Sequence, residues 1–502
     1  MLRLLFRRFA AAPVALFVLT CTTAFAQKTI HVPADQLTIQ AGINAANTGD
    51  TVLVAPGTYH ENLKIDTKEI ILRSSDGAAT TILDGSKAGI VITITNTPSL
   101  ATTIDGFTIR NGATNYTPSD GGIFVRLGGA TIQNNTIAGN YGWGIDAQGA
   151  SVNVFSNHIV TTAPDTGQLH CSAQTGVYLF GNLHGYTPTD IPDHISGNLI
   201  EGDGSICSGE GIYALSIDSA VIENNTIRNN LLGVGIYAVD AIVRQNLIYG
   251  NEEGGLYAEY AVGVFPRTDP PEVFVVNNAF FNNVTNTYDP QHTGEVMLDF
   301  LYAKIVLSNN LIIGNSSTSP TLACLTQGDV GLFDPNDTPA IIDHNNIFNI
   351  NASPYPLVLG QCSDTQPTEI GLDGNISANP LFASTTDFHL LPGSPSIDSG
   401  NNSAINLPAK DLSGGTRIAD NTGLGYPVVD MGVYESSGLT DARPSLLSLV
   451  SSSYYVTPNT SITLTATATA VGGAPSGIVD FFKMTNVSGR RRLPVVRQRP
   501  RQ

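Results

Sequence analysis

Along most of the chain, apolar residues recur in short alternating runs rather than at helical spacing, so they point to strands. One phrase repeats: Asn, any residue, then Ile or Phe. It occurs as Asn135-Thr136-Ile137, Asn157-His158-Ile159, Asn198-Leu199-Ile200, Asn225-Thr226-Ile227, Asn246-Leu247-Ile248, Asn278-Ala279-Phe280, Asn310-Leu311-Ile312 and Asn346-Ile347-Phe348. Asn375-Ile376-Ser377 reads as a last copy, and Gly106-Phe107-Thr108-Ile109 as the first. A second phrase follows most copies: Gly144-Ile145-Asp146-Ala147, Gly176-Val177-Tyr178-Leu179, Gly211-Ile212-Tyr213-Ala214, Gly235-Ile236-Tyr237-Ala238 and Gly255-Leu256-Tyr257-Ala258.

The interval from Asn225 to Asn246 holds three short strands and tight turns. One such winding cannot bury its apolar face alone, whereas stacked windings bury one another's. Strands then pair in parallel at about 4.8 Å per rung, and parallel crossovers default to the right hand. The predicted fold is therefore all-β, a right-handed parallel β-helix. The repeated Asn is expected at a turn, taking left-handed backbone angles and hydrogen-bonding from rung to rung. A helical run, Thr38 to Ala46 with Ile39, Ile43 and Ala46 on one face, is expected to plug the open N-terminal end.

These phrases resemble the parallel β-helix repeat of the pectin-lyase-like superfamily, from about Lys28 to Glu435, with Thr51 to Tyr59 similar to its first strand and turn. Ala378 to Gly400, then Asp411, Arg417 and Val429 to Glu435, resemble the C-terminal end of bacterial surface proteins of choice-of-anchor type. There Arg417 is expected to pair with the carboxylates in a turn-and-cap role. Ser461 to Ala468 and Ile478 to Phe482 are similar to strands of a bacterial Ig-like repeat, but too few residues follow to close a sandwich. The expected organisation is a signal peptide over 1–26, a β-helix with its N-terminal cap over 27–378, a β-helix end over 379–436, a partial Ig-like segment over 437–488 and a basic tail over 489–502. The tail holds six Arg, which reads as a frameshift or truncated frame, with a tail for anionic surfaces as the alternative.

Charge and the N-terminus narrow the setting. Arg3, Arg7 and Arg8 precede an apolar run too short to span a bilayer, and Ala24-Phe25-Ala26 offers a cleavage site. An exported protein, secreted or surface-exposed, is expected, with no transmembrane segment after signal removal. The formal net charge of −18 disfavours nucleic acid as a partner and repels polyanionic sugars alike. Export permits disulfides. Placing the cysteines on consecutive windings predicts Cys171–Cys207 and Cys324–Cys362, each stapling neighbouring loops. No cofactor is expected: the cysteines lack metal-site spacing, and Asp165, Asp203 and Glu210 lack a calcium-loop spacing.

The expected partner is a polysaccharide or cell-surface glycan. In the second phrase Ile and Ala point inward, so Tyr178, Tyr213, Tyr237 and Tyr257 are expected outward, one above another, either as a glycan-binding row or as a ladder that stabilises the sheet. Long insertions after Asn157, Asn198 and Asn278 are expected to wall a gap whose floor carries Glu252 and Glu253, with Asp165, His170, Asp203, Asp289 and His292 on the walls. The catalytic candidates are Glu252, Glu253, Asp289 and His292, for a polysaccharide lyase or glycoside hydrolase. Against this, the Asn-Thr-Asp, Asp-Asp and Gly-His-Gly phrases of galacturonan hydrolases are missing, as are the Asp-His and Arg-x-Pro-x-x-Arg phrases of pectate lyases. Tyr288 to His292 resembles the Asp-Pro-His-Glu phrase of alginate epimerases in broken order. A glycan-binding or adhesive protein is the first expectation, an enzyme the second and a purely structural surface protein the third.

Overall fold

The computed structural model describes residues 27–112, 121–161, 174–181, 191–203, 209–260, 271–284, 294–300, 304–316, 320–325, 340–351, 358–360, 370–419, 427–436, 446–451 and 464–469. Within them the chain winds into three parallel sheets. Sheet A has twelve strands, from Thr29–Val32 to Ile341–Asp343. Sheet B has eleven, from Gly57–Tyr59 to Asn346–Asn349, and sheet C eleven, from Leu63–Asp66 to Val358–Gly360. After the first strand, each winding supplies A, then B, then C.

Alternation sends columns of apolar residues from each sheet into the bore. In sheet A, Ile132, Val154, Ile195, Ile222, Val243, Val275 and Leu307 follow one another strand by strand. In sheet B the column is the Ile or Phe of the Asn phrase, such as Ile200, Ile227, Ile248 and Phe280. All are fully buried. Burying each such side chain contributes about 1.5–3 kcal/mol, so every winding is stabilised by its two neighbours.

The Asn residues form a continuous buried ladder at the turn from A to B. Asn198 donates its amide to Asn225 Oδ1 at 2.9 Å, Asn225 to Asn246 at 3.0 Å and Asn246 to Asn278 at 3.1 Å. The same oxygens accept the preceding rung's backbone N–H. Two details of the expected ladder are corrected. The left-handed residue is the one before the ladder Asn, at φ values of 56° for Asn134, 57° for Asn224, 53° for Asn277 and 59° for Asn309. The rung after Asn310 is Asn345, which accepts from Asn310 at 2.9 Å, while Asn346 pairs with Leu311 as the first strand residue. Asn375 takes the final rung. Phe107 replaces Asn in the first copy, and its N–H reaches Asn135 Oδ1 at 2.9 Å.

A short helix, Ile39–Ala45, lies against the first windings and buries Ile39 and Ile43. Its start is tied by Thr38, which accepts from Ala41, and by the Glu61 carboxylate, which accepts from Ile39 and Gln40 at 2.9 Å each. Lys68 sits at its far end and donates to the carbonyls of Ile43 and Ala46.

Beyond Ile376, which bridges to Asn346, the chain runs back along the outer face of sheet B. Phe388, Met431 and Val433 pack there on Leu247, Ala279, Leu311 and Ile313. Asn277 donates to the carbonyls of Asp430 and Gly432, and Asn309 accepts from Asn401. Arg417 is only 1% exposed, donating to Gln245 on the coil and to Glu435 on the strap. Its ion-pair partner is Glu435 rather than Asp398, Asp411 or Asp430, with which the sequence grouped it, and it ties the strap to the coil. Downstream, Leu446–Ser451 pairs antiparallel with Leu464–Thr469.

Candidate functional site

In the sheet C windings of Gly122, Gly144, Gly176, Gly211, Gly233 and Gly255 a glycine precedes the first inward residue because the corner leaves no room for a side chain: a Cβ on Gly176 would stand 2.6 Å from the Gly211 carbonyl oxygen. That glycine fixes the frame of the next three residues, apolar inward, then outward, then inward. The outward position gives one column: Asp146, Tyr178, Tyr213, Gly235, Tyr257, Met297.

Tyr237 is therefore not in register with the other three tyrosines, contrary to expectation. The winding's true frame is Gly233-Val234-Gly235-Ile236, and Tyr237 pairs with Leu215 and Glu259. Ala238, the last residue of the misread phrase, is a left-handed turn residue at φ 57°. The ring nevertheless rejoins the row. Gly235 leaves a notch in the column, and a Cβ there would stand 2.8 Å from Tyr237 Cε2. The result is five consecutive rings. Trp143 stacks on Tyr178 at 3.9 Å between centroids, Tyr178 on Tyr213 at 5.1 Å, Tyr213 on Tyr237 at 4.6 Å, and Tyr237 meets Tyr257 at 5.7 Å. All five are partly exposed. Because the first three lie nearly parallel, they spend their faces on each other.

Two carboxyls beneath this row are not read from the sequence as part of the tyrosine site: Asp146 is not singled out, and Glu210 is weighed only as a calcium ligand. Asp146 takes the Tyr position one winding before Tyr178 and is 2% exposed. Burial pushes its carboxyl up to about 8, against a hydrogen bond from Gln148 at 3.0 Å. Glu210 opens the Tyr213 strand, with its Oε2 lodged over Gly235. Burial, then the nearby Glu253, pushes it up to about 8. Asp146 Oδ1 and Glu210 Oε2 are shielded from water and accept no hydrogen bond. The Tyr178 hydroxyl is raised by burial, then by Asp146 and Glu210 on either side.

Glu252 and Glu253 sit at the corner entering the Gly254–Tyr260 strand, with N–H groups bonded to the carbonyls of Asn230 and Leu231. Both are partly buried, and burial raises the Glu252 carboxyl. The structure thus brings Glu253 toward Glu210. Asp165, His170, Asp289 and His292 lie outside the described residues, as do most of the insertions expected to wall a gap. Among the described residues no group of three or more His, Cys, Asp or Glu converges as a metal site would. Cys171, Cys207 and Cys362 also lie outside them. Cys324 is on a strand, Leu322–Leu325, rather than in a loop, opposite Gly360 of the next winding.

The other two outer faces are occupied differently. The strap covers sheet B at the windings from Leu247 to Ile313. Sheet A carries a ladder that neutralises itself, His194 to Glu223 at 2.9 Å and Arg244 to Glu223 at 2.6 Å.

Residues 88–263 match the family model described as right handed beta helix region, about a third of the chain, in agreement with the observed fold. No curated protein matches the sequence. Solved structures similar to the chain include an alginate lyase from Paenibacillus sp. str. FPU-7, at 14% identity and a TM-score of 0.34, covering 66% of this chain and 98% of that one. Another is a mannuronic acid specific polysaccharide family 6 lyase from human gut microbiota, at 13% identity and a TM-score of 0.26, covering 66% and 83%. Likeness this slight carries no argument about chemistry.

Proposed function

We propose that the protein is an exported, surface-exposed β-helix that binds a polysaccharide along the aromatic row of sheet C. The observation that carries this reading is the row itself: five partly exposed rings on successive windings, on an outer face the strap leaves open. A linear glycan presents hydroxyls at a regular interval. A line of phenol edges one rung apart matches that kind of ligand better than it matches a small molecule. The leader-like N-terminus supports a location outside the cell, and the antiparallel pair near residue 450 supports the reading of an Ig-like stalk.

The purely structural alternative keeps the rings for their mutual stacking and needs no hydroxyls. Replacing Tyr178 and Tyr213 together by Phe keeps rings and stacking but removes two hydroxyls. Affinity electrophoresis against neutral, acidic and amine-bearing polysaccharides is expected to show retardation of the native chain and at least tenfold weaker retention of the double variant, at unchanged thermal stability. No retardation in any gel would refute the binding reading.

One observation favours an enzyme instead. Glu210 holds its proton to about 8 beside a second carboxyl, Glu253, and two neighbouring carboxyls are the machinery of glycosidases. New reducing or unsaturated ends, lost in Glu210→Gln and Glu253→Gln but kept in Glu252→Gln, would establish that reading over simple binding.

A further inference from the structure

The polar groups along the aromatic row are of one kind. In the sheet C strands and flanking turns over 141–150, 174–181, 209–218, 230–240 and 251–259 there is neither Lys nor Arg, while Asp146, Glu210, Glu252, Glu253 and Glu259 are present. Three buried oxygens on three successive windings accept no hydrogen bond: Asp146 Oδ1, Gln174 Oε1 and Glu210 Oε2. Asp146 and Gln174 are each 2% exposed. A buried acceptor left unpaired costs about 1–3 kcal/mol, and here three such sites follow the axis of the row. What the described residues of this face lack is positive charge, and these three oxygens lack a donor.

Ligand classes meet that lack differently. The carboxylate of a uronate brings only acceptors and a negative charge, so it adds like charge to an acidic face and leaves the orphan oxygens unpaired. A hydroxyl donates one hydrogen and brings no charge. An ammonium brings three donors, no acceptor and a positive charge. Asp146 stands two windings from Glu210, about 10 Å along the axis at the rung spacing of a parallel sheet. The Tyr178 and Tyr213 rings line the span between them.

We propose that the ligand of this row is a polysaccharide carrying free amino groups, a polymer of de-N-acetylated 2-amino sugars, whose ammonium groups are received by Glu210 and Asp146. This rests on the reading of the row as a glycan site and narrows it to one substrate class. On binding, each carboxyl turns out from beneath the rings toward the ligand, gives up its proton and becomes the counter-ion of one ammonium. That proton goes to solvent, and no bond of the sugar is made or broken. The groups facing these carboxyls are Gln148, Phe124 and Tyr178 around Asp146, and Tyr178, Tyr213, Tyr237 and Glu253 around Glu210. None of them carries a positive charge that the ligand would have to displace.

The test is calorimetric titration of the full chain with four oligosaccharides of matched length: glucosamine, N-acetylglucosamine, glucose and galacturonate oligomers. The expected result is binding of the glucosamine oligomer at least tenfold tighter than any other, weakening with added salt. Repeating it in buffers of different ionisation enthalpy is expected to reveal net proton release. Asp146→Asn and Glu210→Gln keep shape but lose the charge, and each is expected to erase the preference for the free amine. Equal or tighter binding of the acetylated, neutral or acidic oligomer would overturn the amine proposal and leave the glycan site standing. Absence of binding by all four would remove both. Amine preference retained in both variants would show that the charge is read elsewhere. Circular dichroism of each variant separates loss of binding from loss of fold.

Discussion

Removing one ladder amide tests the structural argument at its most buried point. In Asn225→Ala, Asn198 loses the acceptor of its backbone N–H at 3.0 Å and of its side-chain amide at 2.9 Å. The Ile195 carbonyl and Asn246 Oδ1 each lose a donor, at 2.9 and 3.0 Å. Two of these groups keep a second partner. Asn198 Nδ2 still reaches the Val154 carbonyl, and Asn246 Oδ1 still accepts the residue 225 N–H. The Asn198 N–H bears the full loss, while the Ile195 carbonyl stays within the parallel ladder of sheet A. At about 1–3 kcal/mol for a buried group left without a partner, with a small cavity added, the substitution costs about 2–4 kcal/mol. Its neighbour Asn224 is the control. It holds the left-handed turn, and its side chain bonds outside the bore to Gln245 and Ser196. Asn224→Gly keeps the backbone free to turn and costs about 1 kcal/mol or less. The single Trp, Trp143, reports urea unfolding by fluorescence. A cost below 1 kcal/mol for Asn225→Ala, or equal costs for both variants, would refute the ladder as a source of stability.

Three further outcomes are expected. Glu210 holds its proton to about 8 when folded and releases it near 4.5 when unfolded, so the folded state binds more protons between those values and stability falls as pH rises through them. Glu210→Gln removes that slope: its melting temperature relative to the native chain is expected to climb from pH 5 to pH 8, and a constant difference would contradict the assignment. Arg417→Met leaves Glu435 without its cation at 3.1 Å and is expected to cost about 3–5 kcal/mol. Limited proteolysis would then cut the strap while the coil stays resistant, and simultaneous digestion of both would show that the strap does not detach separately. Non-reducing peptide maps are expected to show Cys171–Cys207 and Cys324–Cys362, and any link between Cys207 and Cys324 would break the loop register.

The windings were legible because two requirements of the fold are written in residue type. The bore needs a branched apolar residue once per sheet, and the corner needs an amide, so Asn225-Thr226-Ile227 and its copies stand out. Misframing came where a winding offers the same phrase twice. Asn345-Asn346-Ile347 contains two candidates for one rung, and Gly233-Val234-Gly235-Ile236 contains two glycines followed by a β-branched residue. Only the pairing of Tyr213 with Gly235 chooses between them. Asp146 was visible in the phrase Gly144-Ile145-Asp146-Ala147, at the position where other windings carry Tyr. Strand alternation alone makes an outward Asp a solvated one. Its burial beside aromatic side chains is a tertiary fact that the strand's own sequence does not contain. The path of the strap was hidden similarly: Phe388 and Met431 announce a buried face, but not that the partner is the outside of Leu247 and Ala279.

Modification of tyrosines by tetranitromethane, mapped by mass spectrometry with and without the bound glycan, locates the ligand most directly. Tyr178, Tyr213, Tyr237 and Tyr257 are expected to lose reactivity together on binding, while Tyr59 at the N-terminal windings and Tyr434 on the strap keep theirs. Unchanged nitration of those four under saturating ligand would contradict the placement of the site on sheet C.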